Sequence, residues 1–501
     1  MGFYSDWQRI KQNGQGNSGA KTSQNGNGAN GGQTPPTLDN ILSEFRDCSD
    51  LIHKTFPQTQ TDVLYFHHLV EKAELDRAVL LPLQNANNSS AIGNLLLQPQ
   101  FVEETDAKQC IKAILNGSAA VFHQNKTYSV NVTRKERRGV RESETESVIT
   151  GPHEAFIEDI STNLSLVRKR VKSSHLKTIH LEVGEIAKND VCVMFIQDIA
   201  NQELVNTILQ RIKGIETDIG LENSMLVQAI EENPYSVFPQ FITTERPDVV
   251  ASKLTEGKVV ILLDGSPSAI CAPTSFFEFF SSPDDYYQRW PIGSSLRLLR
   301  LVAFAVTLIF TACYVSLTTF HYEMIPQTLL LSLAESRARV PFPPLLEALL
   351  MEMMIELLRE AGARLPSKVG QTIGIVGGIV IGQAAVQAGL TSNILIIAVA
   401  SSAIASFVIP SYIMSASLRL LRFVLIILSG VWGILGLVIG IGMIVIHMSG
   451  ITNLGTSYLT PLAPMRLADW KDTFVRAPLA ALESRPDQSR SENNAKNRLR
   501  K

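Results

Sequence analysis

Glycines at positions 370, 374, 378 and 382 recur every fourth residue inside the apolar run GQTIGIVGGIVIGQAAVQAG. Residues four apart share one helix face, so the four glycines leave a smooth groove along one side. In water such a helix is poor, since each glycine costs roughly 1 kcal/mol relative to alanine. In a bilayer the groove lets a neighbouring helix approach closely. The run therefore predicts a membrane bundle with tight helix packing, and Gly436 and Gly440 repeat the spacing later in the chain.

The 501 residues divide sharply by character. Residues 1–295 read as soluble protein, 296–450 are dominated by apolar runs, and 451–501 return to a polar tail, expected to be cytoplasmic. The net charge of −2 points to no polyanionic partner, and basic stretches lack interleaved aromatics, so nucleic acid is not expected. Five scattered cysteines without a C-x-x-C pair argue against a disulfide framework and against a metal site. The opening residues show no apolar signal-peptide core.

Residues 1–38, rich in Asn, Gln, Gly and Ser, are expected to form a disordered leader. Residues 39–134 predict a first α/β subdomain: a helix over 39–56, a strand over Asp62–His67, a helix over Ala107–Leu115 and strands over Ala119–His123 and Tyr128–Val132. The charged stretch 135–150 reads as a linker. Residues 151–290 predict a second α/β subdomain: a helix over Glu154–Val171, strands over Thr178–Val183 and Val191–Ile196, and a helix over Asn201–Ile212. Val259–Leu263 and Ser268–Ala272 are joined there by Asp264-Gly265, a type I′ hairpin signal. The fold class expected is thus a mixed α/β N-terminal region of two subdomains followed by an α-helical polytopic membrane bundle.

Four apolar runs are long enough to span or nearly span a bilayer: 301–320, 370–390, 394–410 and 423–448. Arg289, Arg297 and Arg300 before the first run place the N-terminal region in the cytoplasm. Between the first two runs, 343–362 forms a Pro/Glu-rich amphipathic helix on which Glu352, Glu356, Arg359 and Glu360 share a face. At about 2.5–3.5 kcal/mol per charge at the bilayer centre, this helix cannot face lipid alone. It lies at the interface, or its stripe meets partner helices or a wet path. Glu352 and Glu356, with Gln383 and Gln387 four apart in the glycine-rich run, are candidate ion-path residues.

Enzymatic signatures are missing: there is no phosphate-binding glycine loop, no H-E-x-x-H and no G-x-S-x-G. No catalytic residue, cofactor or metal is expected. Asp264 is read as a turn residue, and adjacent His67 and His68 would point to opposite faces of a strand.

Several blocks in fixed order carry a resemblance: GPHEAFIEDISTNLSLVRKR (151–170), TERPD (244–248), PFPPLLEALLMEMMIELLREAGARLP (341–366), QAAVQAGLTSN (383–393) and SYLTPLAPMRLADWKD (457–472). From about residue 40 to 480 the chain resembles the A subunits of GerA-type spore germination receptors. The resemblance implies a multi-pass protein of the spore inner membrane or cell membrane. It also implies a transporter-like, nutrient-binding B subunit and a lipoprotein C subunit as partners, and signal transduction that ends dormancy. A homo-oligomer of A subunits acting as a gated ion channel is implied as well. The alternatives are a related stage V sporulation membrane protein and a non-conducting scaffold subunit that assists ion release.

Overall fold

The computed structural model describes residues 35–86, 89–134, 143, 146, 150–365, 378 and 380–496. The leader through residue 34, most of the linker 135–150, and Gly370 and Gly374 lie outside them.

The first subdomain is a five-stranded antiparallel sheet of β1 (Leu51–Phe56), β2 (Thr61–Phe66), β3 (Phe101–Glu104), β4 (Ser118–His123) and β5 (Lys126–Asn131), ordered β1-β2-β4-β5-β3. Helices α1 (Leu38–Glu44) and α2 (Ala107–Leu115) cover one face through Ile41, Phe45, Cys110 and Ile114. Val79, Leu83 and Ile92, from the helical stretch after β2, cover the other face. The single helix expected over 39–56 is instead α1 followed by β1. Asp47, at φ 65°, ends the helical path, and the 51–56 segment pairs with β2 from Leu51↔Phe66 to Phe56↔Thr61.

The second subdomain repeats the plan with β6 (Leu176–Val183), β7 (Asn189–Ile196), β8 (Ile242–Thr244), β9 (Val259–Leu263) and β10 (Ala269–Ala272), ordered β6-β7-β9-β10-β8. Helices α3 (Ile160–Arg170) and α6 (Pro247–Thr255) pack on one face, α4 (Gln202–Lys213) and α5 (Asn223–Ile230) on the other. Coverage of both faces explains why central β9 reads VVILL, apolar without alternation. Helix α3 begins at Ile160 rather than 154 because Asp159 caps it, accepting from the Thr162 N–H at 2.9 Å. The β9–β10 hairpin forms, but not through a type I′ turn. Only Gly265 has positive φ, 84°, and the Asp264 carboxylate accepts the Ile160 N–H at 3.1 Å, a second support for the start of α3.

The two subdomains are joined by a buried ion pair. The Arg168 guanidinium, on α3, donates to Asp50 of the first subdomain through Nε and, at 2.7 Å, through Nη2. It also lies 4.2 Å from the Phe66 ring centroid. Burial alone would raise the Asp50 pKa, but the charge and hydrogen bonds of Arg168 outweigh it and hold the carboxyl below its ordinary range. Beside this pair, His68 has a buried Nδ1 without a hydrogen-bond partner, with His67 and His180 rings at 5.5 and 6.4 Å. Desolvation lowers the His68 pKa from 6.5 to about 4. The fold thus favours the neutral ring: its contribution is complete above pH 6.5 and is lost as pH falls towards 4. Thermal melting of the full chain should decline over that window by on the order of 2 kcal/mol, and His68→Phe should flatten the slope.

The C-terminal half is a helical bundle: α7 (Trp290–Thr319), α8 (Gln327–Arg337), α9 (Pro344–Arg364), a helical stretch at 380–387, α10 (Asn393–Val408) and α11 (Tyr412–Gly450). Among the described residues, α7 and α11 are long and apolar enough to cross a membrane. The run expected at 301–320 begins earlier, at Trp290, and that at 394–410 corresponds to α10, capped by Ser392. Of the run at 370–390, only 378 and 380–390 are described.

The run expected at 423–448 as one span is two antiparallel arms. Gly433, at φ 63° and ψ −141°, reverses α11. A Cβ on Gly436 would strike the Leu428 carbonyl, and one on Gly440 the Leu425 side chain. Both ends of the hairpin reach one loop of the second subdomain. The Ser417 hydroxyl donates to the Val237 carbonyl at 2.6 Å, while His447 hydrogen-bonds Ser236 at 3.0 Å and stacks on Phe238.

The tip at Gly433 meets Phe320 and His321 after α7, and nearby Gly430 meets Leu345 at the start of α9. Helix α9 therefore runs back from the tip towards the N-terminal domain, packing one face on the bundle and leaving Leu346, Leu350, Met353 and Leu357 exposed. The residues after α11 return to the second subdomain. The Tyr458 hydroxyl donates to Pro239 O at 2.7 Å, and Arg485 Nε to Thr255 O at 2.8 Å.

Candidate functional site: the charged core of the helical bundle

Helices α7, α9, α10 and α11 enclose a polar core. Glu352 on α9 is fully buried. It accepts from the Thr311 hydroxyl of α7 at 2.9 Å and pairs with Arg422 Nη2 of α11 at 2.7 Å. Arg422, also fully buried, lies 3.4 Å from Glu356 and donates to the Ser402 hydroxyl of α10 at 2.7 Å. The Ser402 hydroxyl in turn donates to the Thr307 carbonyl at 3.1 Å. One turn along α9, Glu356 pairs with Arg419 at 3.2 Å. Arg359 donates to Ser406 at 2.9 Å and lies over the Phe407 ring.

The helix periods create this arrangement. Glu352, Glu356 and Arg359 fall on one α9 face, and Arg419 and Arg422, three apart, fall on one face of the first α11 arm. Charges in an apolar bundle are tolerated when paired inward, and here two carboxylates face three guanidiniums. Glu347 lies off the stripe and is fully buried. It accepts the Ser392 N–H and, at 3.1 Å, the Thr391 hydroxyl, at the positive N-terminus of α10.

The structure keeps the four candidate ion-path residues apart. Glu352 and Glu356 sit in the core, whereas Gln383 and Gln387 are exposed on the 380–387 stretch, which packs inward through Ala385. The glycines divide similarly. Gly436 and Gly440 are buried between the α11 arms, while a Cβ on Gly378 or Gly382 would meet nothing within 4 Å among the described residues. Sequence reading missed that Arg419 and Arg422 neutralise the acidic stripe. The signal was available in the need of each carboxylate in an apolar segment for a partner. The reading also missed Arg168, a buried partner of Asp50.

Residues 39–488 match the family described as Bacillus/Clostridium GerA spore germination protein. The spore germination protein GerQA of Bacillus cereus is 47% identical over 456 residues, covering 90% of this chain and 90% of that protein. Spore germination protein A1 of Bacillus subtilis is 39% identical over 420 residues, covering 83% and 87%. The crystal structure of the N-terminal domain of the A subunit of the Bacillus megaterium spore germinant receptor GerK3 aligns over 49% of this chain and 97% of that domain, with a TM-score of 0.36 and 24% identity. With most of its length matched, from the first sheet to the C-terminal segment, the chain belongs to the GerA family of spore germination proteins.

Proposed function

We propose that this chain is the membrane-embedded A subunit of a nutrient germinant receptor, working with B and C subunits to convert germinant binding into ion release. The observation that carries the reading is a charged, inward-paired core in an apolar bundle of a spore germination family member. Such a core is costly in a membrane and is retained where charge movement is used. Helices α7, α9 and α10 and the two arms of α11 cross the membrane. The N-terminal domain and C-terminal segment share the cytoplasmic side.

Copies of the subunit associate through the uncovered face bearing Gly378 and Gly382, bringing Gln383 and Gln387 around a shared path. Within each copy the Glu352–Arg422 and Glu356–Arg419 pairs hold the path closed. Purified full chain in liposomes with B and C partners should release potassium when germinant is added, and Gln383→Leu should reduce that flux about tenfold. A monomeric, non-conducting protein under those conditions would sink the channel reading. The alternative of a non-conducting scaffold is favoured by the complete pairing of Glu356. It predicts that Glu356→Gln weakens assembly while leaving ion release per assembled receptor unchanged.

A further inference from the structure

A cleft opens where α6, the 275–286 segment before α7, and the returning C-terminal segment meet. Its enclosed volume is small, about 80 Å³, room for a compact molecule of a few heavy atoms. Its walls carry the carboxylates of Glu256, Glu278, Asp469 and Asp472 and the ammonium of Lys253. Lys253 is shared by Glu256 and Glu278 at 3.2 and 2.8 Å, and Glu278 also pairs with the buried Lys258 behind it. Asp472 accepts the Tyr286 hydroxyl at 2.8 Å and lies 3.5 Å from Arg297. Asp469 takes the Asp487 N–H at 3.1 Å and forms no ion pair among the described residues. Burial raises the pKa of both aspartates above the usual carboxylate range.

An independent observation concerns Gln488 on the same wall. It is 5% exposed, and its Nε2 has no hydrogen-bond partner. A buried donor left unpaired is costly, so this group calls for an acceptor from whatever fills the cleft. A metal ion does not meet these demands. Among the described residues no three His, Cys, Asp or Glu side chains converge to hold one, and a metal ion cannot accept a hydrogen bond from Gln488. Spaced carboxylates plus one unsatisfied donor suit an organic cation that spreads its donors and carries an oxygen.

We propose that this cleft binds a small organic ammonium compound, its ammonium between Asp469 and Asp472 and an oxygen on Gln488 Nε2. The site is separate from the bundle core and independent of the receptor reading. Its effect would reach the bundle through Arg297, which donates to the Asp472 carbonyl at the start of α7.

Ethanolamine is the simplest probe, with ethylene glycol as its neutral analogue. Calorimetric titration of the full chain in phosphatidylglycerol nanodiscs should show saturable ethanolamine binding and none of ethylene glycol. Asp469→Asn, which keeps an acceptor for the Asp487 N–H, and Gln488→Met should each weaken binding about tenfold at unchanged melting temperature. Adding phosphatidylethanolamine separates two sources of the same chemistry. Lost ethanolamine binding assigns a lipid headgroup, and unchanged binding assigns a soluble amine. Equal responses to ethanolamine and ethylene glycol, or wild-type affinity in both variants, would overturn the site. The ligand comparison needs no variant to fold.

Discussion

Arg422→Leu should destabilise the helical bundle by about 3–5 kcal/mol, the cost of leaving a buried charge without its partner. The arginine is fully buried and serves Glu352, Glu356 and Ser402 together, so its loss strands Glu352 in the core with only the Thr311 hydroxyl. The double variant Arg422→Leu/Glu352→Leu removes both charges and leaves Glu356 with Arg419. Replacement of a whole buried pair by apolar residues is often neutral, so the double variant should recover most of the loss. Melting of detergent-purified protein, followed by retention in the soluble fraction, measures both. If the single variant melts like wild type, the pair is worth no more than an exposed one and the closed-core description fails.

Gly433→Val should be comparably damaging, at about 3 kcal/mol or more. The backbone there, φ 63° and ψ −141°, is open essentially to glycine alone, and forcing another residue into it costs of order 1–3 kcal/mol. Any Cβ would also lie 2.9 Å from His321 Nε2 and 3.1 Å from the Phe320 Cβ, and crowding of this kind adds about 1–3 kcal/mol. The expected result is loss of the hairpin, read as protease cleavage within 425–440 in membranes where wild type resists. Gly382→Leu provides the contrast. With nothing within 4 Å of the added atom, stability of the single subunit should change by no more than about 0.5 kcal/mol, and only association between copies should respond. Equal cleavage of Gly433→Val and wild type would refute the tight reversal.

The difference between these two glycines shows what the sequence could convey. The every-fourth spacing marks a helix face, because helical periodicity is local. It did not distinguish Gly440, packed against Leu425, from Gly382, which faces nothing within 4 Å among the described residues. Periodicity says which residues share a side and is silent about what lies opposite. Gly433 was hidden for a related reason: in a run already rich in glycine, the one with positive φ carries no mark of its own.

Strands and helices whose signals are local were legible. The structure has α2 at Ala107–Leu115 and β9 at Val259–Leu263, as the pattern indicates. The stretch 39–56 misled because Leu51 and Ile52 continue a helical spacing, while pairing with β2 decides their state. The acidic stripe was visible as a face that could not meet lipid. Its arginine partners lay some sixty residues away on another helix, a distance that only the fold closes.

The α11 hairpin has a mechanical consequence. Both of its feet stand on the short loop at Ser236–Phe238, so the loop moves the two arms as one rigid lever. At 1.5 Å per residue, an arm of residues 434–450 is about 25 Å long. A tilt of roughly 10° at the base therefore sweeps the tip by about 4 Å, as wide as a van der Waals contact. That displacement would separate Gly430 from Leu345 and Gly433 from Phe320, approaches so close that a Cβ on either glycine would clash. A small rotation of the second subdomain is thus geared up, across the depth of the bundle, into a parting of helices at its far end.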